Sequence, residues 1–389
     1  MFLSVPLTIQ RKQSNGTERL NNDKQQLVGV AGPWRQDPDR TVPGALLLRE
    51  RFGWASVLDS FPREAWLDRL AHWLNDRAAG EVEKVLPHMQ SGALPVGVSV
   101  MAPKAHLEGT LFRYGSKSVQ VAFRSGDFKK QVIFLGGLTD GLLATDYVKP
   151  LADALLDEKW SLVQPLLSSS YTGYGQSSLM QDTAEIEQLI YFLINEEASQ
   201  GVMLMGHSTG CQNIVHYLRR GSSCSKAVRG AILQAPVSDR EYRATLPETP
   251  GLLDLAEIMI KEGKGEELMP READPCAPIN ALRYRSLCAF LGEDDMFSSD
   301  LTDAQLKNRL GHMERFPCQV IFSMRDEYVP DYVDKKALVQ RLCVAMGGAE
   351  KVEIQWGNHS LSNRVQDAVR AVVDFVRREG PKGWDDPWK

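Results

Sequence analysis

The 389-residue sequence has no long apolar run, no basic cluster and no closely spaced cysteine pair. A membrane-spanning helix requires roughly 20 consecutive apolar residues, and because no stretch approaches that length we expect no membrane span. Acidic and basic side chains are interspersed and the formal net charge is -5, which argues against nucleic acid as the main partner. These absences direct attention away from membranes and nucleic acids, and they indicate nothing about oligomeric state.

The six cysteines show neither a Cys-x-x-Cys motif nor a His/Cys metal pattern, so we expect no metal and no other cofactor. Several lie in apolar surroundings, as Cys318 does, and a reducing cytosol suits such thiols better than a secretory route. Residues 1–22 include Arg11, Lys12 and Arg19 but few acids, which leaves an organellar transit peptide as an alternative. We therefore expect a cytoplasmic protein, with a plastid location as the alternative.

The residue pattern divides the chain into four segments. Residues 1–45 are polar and turn-rich, which predicts a disordered extension. Residues 46–107 carry tryptophans and leucines at three- and four-residue spacing, which predicts a helical appendage. Residues 108–380 form the main domain, and residues 381–389 are a short tail.

Short apolar stretches alternate with amphipathic ones throughout the main domain. Residues 110–114 and 119–123 flank a Gly-Ser turn and predict an antiparallel hairpin. The later strands are predicted at 132–135, 161–167, 202–205, 229–234, 318–323 and 352–355. Helices are predicted at 146–156, 182–195, 211–219 and 362–378. Such alternation predicts an α/β fold with a mostly parallel central sheet, helices on both faces and ligands at the carboxyl ends of the strands.

The segment Gly-His-Ser-Thr-Gly at 206–210 stands between a predicted strand and a predicted helix. This arrangement is typical of the nucleophile elbow of α/β-hydrolases. The residues two before and two after the serine approach each other so closely that only glycine fits at both places. The sequence therefore predicts an α/β-hydrolase fold with Ser208 as the nucleophile.

A serine nucleophile needs a histidine base, which follows the acid in the chain order of this fold. Among the seven histidines, only His359 follows a late predicted strand in a loop before the last helix. His207 is expected to point into the sheet packing, and His216 is expected to be buried against a strand. We therefore predict that His359 is the base.

The acid is expected in the loop after the strand at 318–323. Asp326 occupies that position, and Glu327 is the alternative because it lies next to it. Neighbouring residues on a tight turn point in different directions, so only one of them can meet His359. Asp331 fits better as a carboxylate at the start of a helix. We predict Asp326 as the acid.

Two backbone amides are needed to hold the oxyanion. The amide of Thr209 directly follows the nucleophile, and the glycine-rich loop at 136–141 supplies the other. By position the second amide belongs to Leu138, with Gly137 as the alternative. A phosphate-binding loop is the weaker interpretation, because no Gly-Lys-Ser/Thr follows.

Polar residues at 168–175 follow the strand predicted at 161–167 and face the expected mouth of the site. Ser169, Tyr171 and Tyr174 are candidates for substrate contact, although a solvated turn explains them equally well. Gly137 belongs to the same set because its loop passes close to the substrate. Asp140 is expected either to contact the substrate or to brace its loop.

Residues 238–316 interrupt the alternation with helical pieces, charged turns and several prolines. In α/β-hydrolases a lid is inserted at this point of the chain, where it shapes the pocket and excludes water. We therefore predict a lid insertion at about 238–316.

Four segments together resemble a little-characterised α/β-hydrolase family that includes the fungal siderophore esterases acting on fusarinine C-type compounds. The segments are 134–141, 167–175, 206–212 and 357–360. The resemblance extends over about 108–380 and implies a triad of Ser208, Asp326 and His359. The C-terminal residues and the long N-terminal extension look more like those of the plant relatives.

The motifs together predict a serine hydrolase that cleaves a carboxylic ester of a small or medium organic molecule through an acyl-enzyme. An acyltransferase with the same triad is one alternative, because the elbow does not decide between water and another acceptor. A non-catalytic ligand receptor with this fold is the second alternative.

Overall fold

The computed structural model describes residues 106–381, and the domain predictions for 1–45, for nearly all of 46–107 and for the tail after 381 lie outside them. The described strands form one sheet in the order β1-β2-β4-β3-β5-β6-β7-β8. These strands are β1 (Thr110–Arg113), β2 (Val121–Ser125), β3 (Gln131–Leu135), β4 (Ser161–Pro165), β5 (Val202–His207), β6 (Val228–Gln234), β7 (Cys318–Ser323) and β8 (Glu350–Ile354).

The described helices alternate with these strands as predicted. They are α1 (Val148–Asp157), α2 (Leu179–Asn195), α3 (Thr209–Arg220), α4 (Asp239–Arg243), α5 (Thr249–Lys261), α6 (Ala281–Cys288), α7 (Asp303–Leu310), α8 (Lys335–Ala345) and α9 (Val365–Glu379). Their bounds differ from the predicted ones by a few residues. Helix α2, for example, begins before the predicted 182 because the Ser178 side chain accepts a hydrogen bond from the Gln181 amide and caps it.

Helices cover both faces of the sheet, which confirms the predicted α/β-hydrolase architecture. Alternate residues of β3 belong to different cores: Ile133 packs with α2, α3 and α8, whereas Val132 and Phe134 pack with α1 and α9. Side chains alternate between the two faces of a strand, so a strand that is apolar at every position must be covered on both sides.

The predicted hairpin is confirmed, since β1 and β2 pair antiparallel with Thr110 opposite Arg124. Strand β2 then pairs antiparallel with β4 rather than with β3, and the sheet is parallel from β4 through to β8. The crossover of β4 to the outside leaves β3 directly beside β5, with Leu135 opposite Gly206. The loop after β3 and the elbow after β5 therefore leave the sheet side by side.

The insertion between β6 and β7 contains α4 to α7 and occupies the predicted position. Buried residues of its first part form a core of their own that includes Ile279, Tyr284 and Leu287, and Leu138 of the loop after β3 packs against it. Buried residues of its last part, such as Phe297 and Leu306, belong to the core on one face of the sheet. The insertion thus contacts the edge of the sheet where the predicted site residues lie. Its action as a lid stays a prediction.

In residues 106–381 no helix is both long enough and apolar enough to cross a membrane.

Candidate active site

Ser208 lies between β5 and α3 in a conformation that non-glycine residues rarely adopt, with φ 53° and ψ -124°. A Cβ atom on Gly206 would lie 2.5 Å from the carbonyl carbon of Gly210, and a Cβ on Gly210 would lie 2.2 Å from the Leu135 carbonyl oxygen. Both distances are far shorter than a carbon atom tolerates. The predicted close approach of the two glycines is therefore confirmed, and it explains why both must be glycine.

The loop after β3 passes directly beside this serine. A Cβ atom on Gly137 would lie 2.8 Å from Ser208 Cβ and 3.3 Å from Ser208 Oγ. The Gly137 amide donates a 2.7 Å hydrogen bond to Asp140 Oδ2, so it is already engaged within its own loop. In the part of the chain that the structure describes, the amides of Leu138 and Thr209 donate no such bond. Of the two candidates for the second donor, Leu138 is therefore the one whose amide is not engaged within the loop, and its oxyanion role stays a prediction.

Asp140 braces the oxyanion loop, which is one of the two roles expected for it. Its carboxylate accepts the hydrogen bond from the Gly137 amide, and its backbone carbonyl accepts a 2.9 Å hydrogen bond from the Tyr171 amide. Burial raises the pKa of the Asp140 carboxyl, against the opposing hydrogen bond from Gly137. Asp140 therefore fixes the turn at 137–140 through its side chain and joins this loop to the segment after β4 through its backbone.

His359 and Asp326 meet as predicted. A 2.8 Å hydrogen bond joins His359 Nδ1 to Asp326 Oδ2, and the Asp326 side chain is 1% exposed. Glu327 accepts the backbone amide of His359 at 2.9 Å, so the neighbouring carboxylate holds the loop rather than the ring. The carboxylate that caps the following helix is Asp334, not Asp331, because its Oδ1 accepts the Ala337 amide at 3.0 Å.

Two opposing effects act on the His359 imidazole. Its burial lowers the pKa, whereas the charge and hydrogen bond of Asp326 raise it, and the net direction is upward from 6.5. The negative partner thus stabilises the protonated ring that a general base forms when it takes a proton.

Gln234, at the end of β6, holds the histidine loop in place and was not foreseen from the sequence. Its Nε2 donates a 2.9 Å hydrogen bond to the His359 carbonyl. Its Oε1 accepts from Tyr147 Oη at 2.9 Å and contacts His207 Nδ1 at 2.6 Å. Burial lowers the pKa of His207 to about 3, so His207 is neutral and donates from Nδ1. The signal available in the sequence is one glutamine that directly follows the apolar residues 231–233 at the end of β6.

The base lies close to the elbow. The ring centroids of His207 and His359 are 4.9 Å apart, and His207 directly precedes Ser208. Within residues 106–381 no hydrogen bond joins Ser208 Oγ to His359. Such bonds are often long before substrate binds, so the arrangement is compatible with proton transfer from the serine.

The other candidates for substrate contact separate into different roles. Ser169 lines the cavity beside the oxyanion loop. Tyr174 also lines it, but its buried hydroxyl donates a 2.7 Å hydrogen bond to Asp274 Oδ1. Tyr171 is half-exposed and packs its ring against Gly141 outside that lining.

The expectation that His216 is buried against a strand is wrong. The side chain is partly exposed, and its Nδ1 contacts Thr183 Oγ1 of α2 at 2.7 Å. The polar face of α3 therefore meets another helix at this point instead of the sheet.

The chain is similar to known esterases over most of its described length. Residues 100–377 match the family DUF1749, described as protein of unknown function. The fusarinine C esterase sidJ of Aspergillus fumigatus is 35% identical over 294 residues, which cover 61% of this chain and 83% of that protein. An esterase of Emericella nidulans is 29% identical over 312 residues, covering 64% of this chain and 83% of that protein.

Comparison with solved structures also finds an ester-cleaving relative. The siderophore hydrolase EstB from Aspergillus fumigatus matches with a TM-score of 0.62 at 30% identity, over 72% of this chain and all of that one (100%). The fold and these relatives define a carboxylic ester hydrolase of the α/β-hydrolase class. The chain belongs to the DUF1749 family and is related to the fusarinine C esterase.

Proposed function

We propose that this chain hydrolyses an ester of a small or medium organic molecule through an acyl-enzyme, in the manner of the siderophore esterases. The observation that carries the proposal is the buried 2.8 Å hydrogen bond between His359 and Asp326, next to the strained elbow of Ser208. Acyl transfer to serine requires a histidine base that a carboxylate holds in place, close to a serine on a nucleophile elbow.

The first half of the reaction forms the acyl-enzyme. His359 takes the proton of Ser208, whose Oγ attacks the ester carbonyl carbon. The carbonyl π electrons move to oxygen, and the amides of Leu138 and Thr209 hold the resulting oxyanion at the start of α3. The tetrahedral intermediate then collapses, the C–O bond breaks, and protonated His359 gives its proton to the departing alcohol.

The second half releases the acid. His359 takes a proton from water, the hydroxide attacks the acyl carbon, and the Ser208 oxygen leaves with the proton returned from His359. Asp326 keeps Nδ1 protonated throughout, so that Nε2 faces the reacting atoms.

The test is a Ser208→Ala variant, with Ser116→Ala at an exposed position as the matched control. We expect the Ser208 variant to lose both p-nitrophenyl ester hydrolysis and fluorophosphonate labelling while its far-UV spectrum and melting temperature stay close to those of the parent. The control should retain both activities. Turnover retained by Ser208→Ala would remove Ser208 from the mechanism.

The natural substrate class requires a separate measurement. Because two relatives are named for siderophore or fusarinine C hydrolysis, fusarinine C is the first compound to assay. A panel of esters of graded acyl length provides the comparison.

A further inference from the structure

The His359 ring contacts a tyrosine that the mechanism does not use. Tyr328 lies in the loop after β7, two residues past Asp326, and its ring centroid is 4.6 Å from that of His359. The two ring planes meet at 63°, an edge-to-face arrangement that aromatic pairs favour. Tyr328 is half-buried and packs against the core on one face of the sheet. The proposed base is therefore in contact with a ring that the core supports.

The backbone of the same tyrosine holds the acid. The Tyr328 amide donates a 3.0 Å hydrogen bond to Asp326 Oδ1, while Asp326 Oδ2 is joined to His359 Nδ1 at 2.8 Å. One residue thus fixes the carboxylate through its main chain and contacts the imidazole through its side chain. A substitution of the side chain removes the ring contact and leaves the amide that binds Asp326.

A single hydrogen bond at Nδ1 does not by itself fix the orientation of an imidazole. The χ2 torsion of histidine is broad, so the ring can turn and carry Nε2 away from Ser208 while Nδ1 stays near Asp326. A general base must keep its nitrogen within about 2.6–3.2 Å of the group whose proton it takes. The rings of Tyr328 and His207, with centroids 4.6 Å and 4.9 Å from that of His359, restrict this rotation.

The insertion contributes a second tyrosine to this arrangement. The Tyr242 ring of α4 lies 4.9 Å from the Tyr328 ring, and the two planes again meet at 63°. Three rings in succession, those of Tyr242, Tyr328 and His359, therefore connect the insertion to the base.

Helix α4 is attached to the rest of the insertion by charged groups. Arg240 Nε donates a 2.9 Å hydrogen bond to Asp295 Oδ2, and the Asp295 side chain is fully buried. Glu241 Oε2 accepts the Ser299 amide at 2.7 Å. Hydrogen bonds to ionised groups are stronger than those between neutral groups. The position of Tyr242 is therefore set by the part of the insertion that follows α6.

We propose that Tyr328 is a positioning residue for His359 and that Tyr242 holds the Tyr328 ring in place, so that the insertion orients the catalytic base. The role belongs to the aromatic rings, which act through His359 rather than on the substrate. An aliphatic side chain has no ring edge or face, so it cannot replace either tyrosine fully. The inference rests on the proposed function, since it concerns the base of the same site.

The first experiment compares Tyr328→Leu, Tyr328→Phe and a control, Tyr191→Leu, at an exposed position on α2. Tyr328→Leu should lower kcat for a p-nitrophenyl ester by about tenfold or more with little change in KM, since a misplaced base mainly affects the transition state. Tyr328→Phe should recover most of this loss because it restores the ring, and the control should match the parent. A phenylalanine variant as impaired as the leucine variant would assign the effect to the hydroxyl and overturn the role of the ring.

The second experiment tests the connection to the insertion. Tyr242→Leu should lower kcat by about threefold or more, as for the loss of one edge-to-face contact. Combined with Tyr328→Leu it should cause little further loss, because both substitutions act through the same contact. Losses that multiply in the double variant would show that the two tyrosines act independently, which overturns the connection.

A third measurement needs neither substrate nor turnover. The Nδ1 proton of His359, held in a hydrogen bond to Asp326, is followed as a downfield proton resonance that disappears in His359→Gln. In Tyr328→Leu this resonance should broaden or move, because a less restricted ring exchanges its proton faster, whereas the Tyr191→Leu spectrum should be that of the parent. Urea unfolding checks the fold of each variant. Where Tyr328→Leu does not fold, Tyr242→Leu should show the same change in the resonance.

The outcomes separate this inference from the proposed function. A parent that hydrolyses esters, together with a folded variant whose Nδ1 resonance is unchanged, overturns the positioning role and leaves the proposed function intact. Neither ester hydrolysis nor fluorophosphonate labelling in the parent overturns the proposed function itself.

Discussion

At the scale of single residues, the structure favours one of the two roles that the sequence left open for Asp140. Its carboxylate accepts the Gly137 amide and keeps the loop after β3 in the turn that exposes the neighbouring Leu138 amide. An aspartate side chain that bonds a nearby backbone amide is a common way to fix a turn. In the proposed mechanism Asp140 is a positioning residue, because its effect on the reaction would pass through the Leu138 amide.

We predict that Asp140→Ala lowers kcat by about tenfold or more with little change in KM, since a displaced oxyanion donor mainly affects the transition state. Asp140→Asn should retain most of kcat, because the amide oxygen can still accept the Gly137 hydrogen bond. Steady-state kinetics on a p-nitrophenyl ester measure both. Equal losses in the two variants would contradict the bracing role.

The pH dependence follows from the His359 imidazole, which must be neutral to act as a base. Its pKa is raised above 6.5 chiefly because Asp326 outweighs burial, so kcat/KM should fall as the pH decreases through a value above 6.5. Asp326→Asn should move this acid limb to lower pH and reduce kcat by roughly 10³–10⁴-fold. The measurement is a pH profile of kcat/KM for both proteins. An unchanged limb in the variant would show that another group titrates.

At the scale of elements, the elbow depends on the contact between α3 and the end of β3. A Cβ atom on Gly210 would lie 2.2 Å from the Leu135 carbonyl oxygen, and backbone on both sides prevents relaxation. The strained serine is therefore held by the packing of two neighbouring elements.

We predict that Gly210→Ala abolishes most esterase activity and lowers the free energy of unfolding by about 1–3 kcal/mol, as overpacking does. Gly251→Ala is the matched control, because nothing lies within 4 Å of a Cβ atom there and Gly251 is in helix α5. The control should be neutral or slightly stabilised. Urea unfolding and p-nitrophenyl ester turnover measure the two effects. If both variants behave alike, the close contact does not shape the elbow.

The insertion is the element whose function the sequence predicted least completely. Its position was predicted, and Arg283 of α6 reaches the cavity beside the oxyanion loop. The sequence of the insertion contains helical pieces without a motif, so neither Arg283 nor its pairing with Asp294 could be anticipated. Whether these helices open and close stays a prediction.

At the scale of the whole molecule, several expectations depend on residues outside 106–381. The extension at 1–45, the helical appendage at 46–107, and the choice between a cytoplasmic and a plastid location stay predictions. Acyl transfer to another acceptor and ligand sensing also stay open as alternatives to hydrolysis. The family and the enzyme class, in contrast, agree with what the four segment motifs predicted.

The sequence by itself determined the features that short stretches encode. Strand and helix alternation, the glycines around Ser208 and the loop positions of Asp326 and His359 all follow from local patterns, because steric limits and side-chain periodicity act over a few residues. Only the tertiary structure decided which distant residues meet. Strand order places the Asp140 loop beside the elbow and Gln234 next to His359, and it brings Asp182 and Arg283 to the wall of one cavity. Such pairings are set by backbone hydrogen bonds between strands far apart in the chain, which no local pattern records.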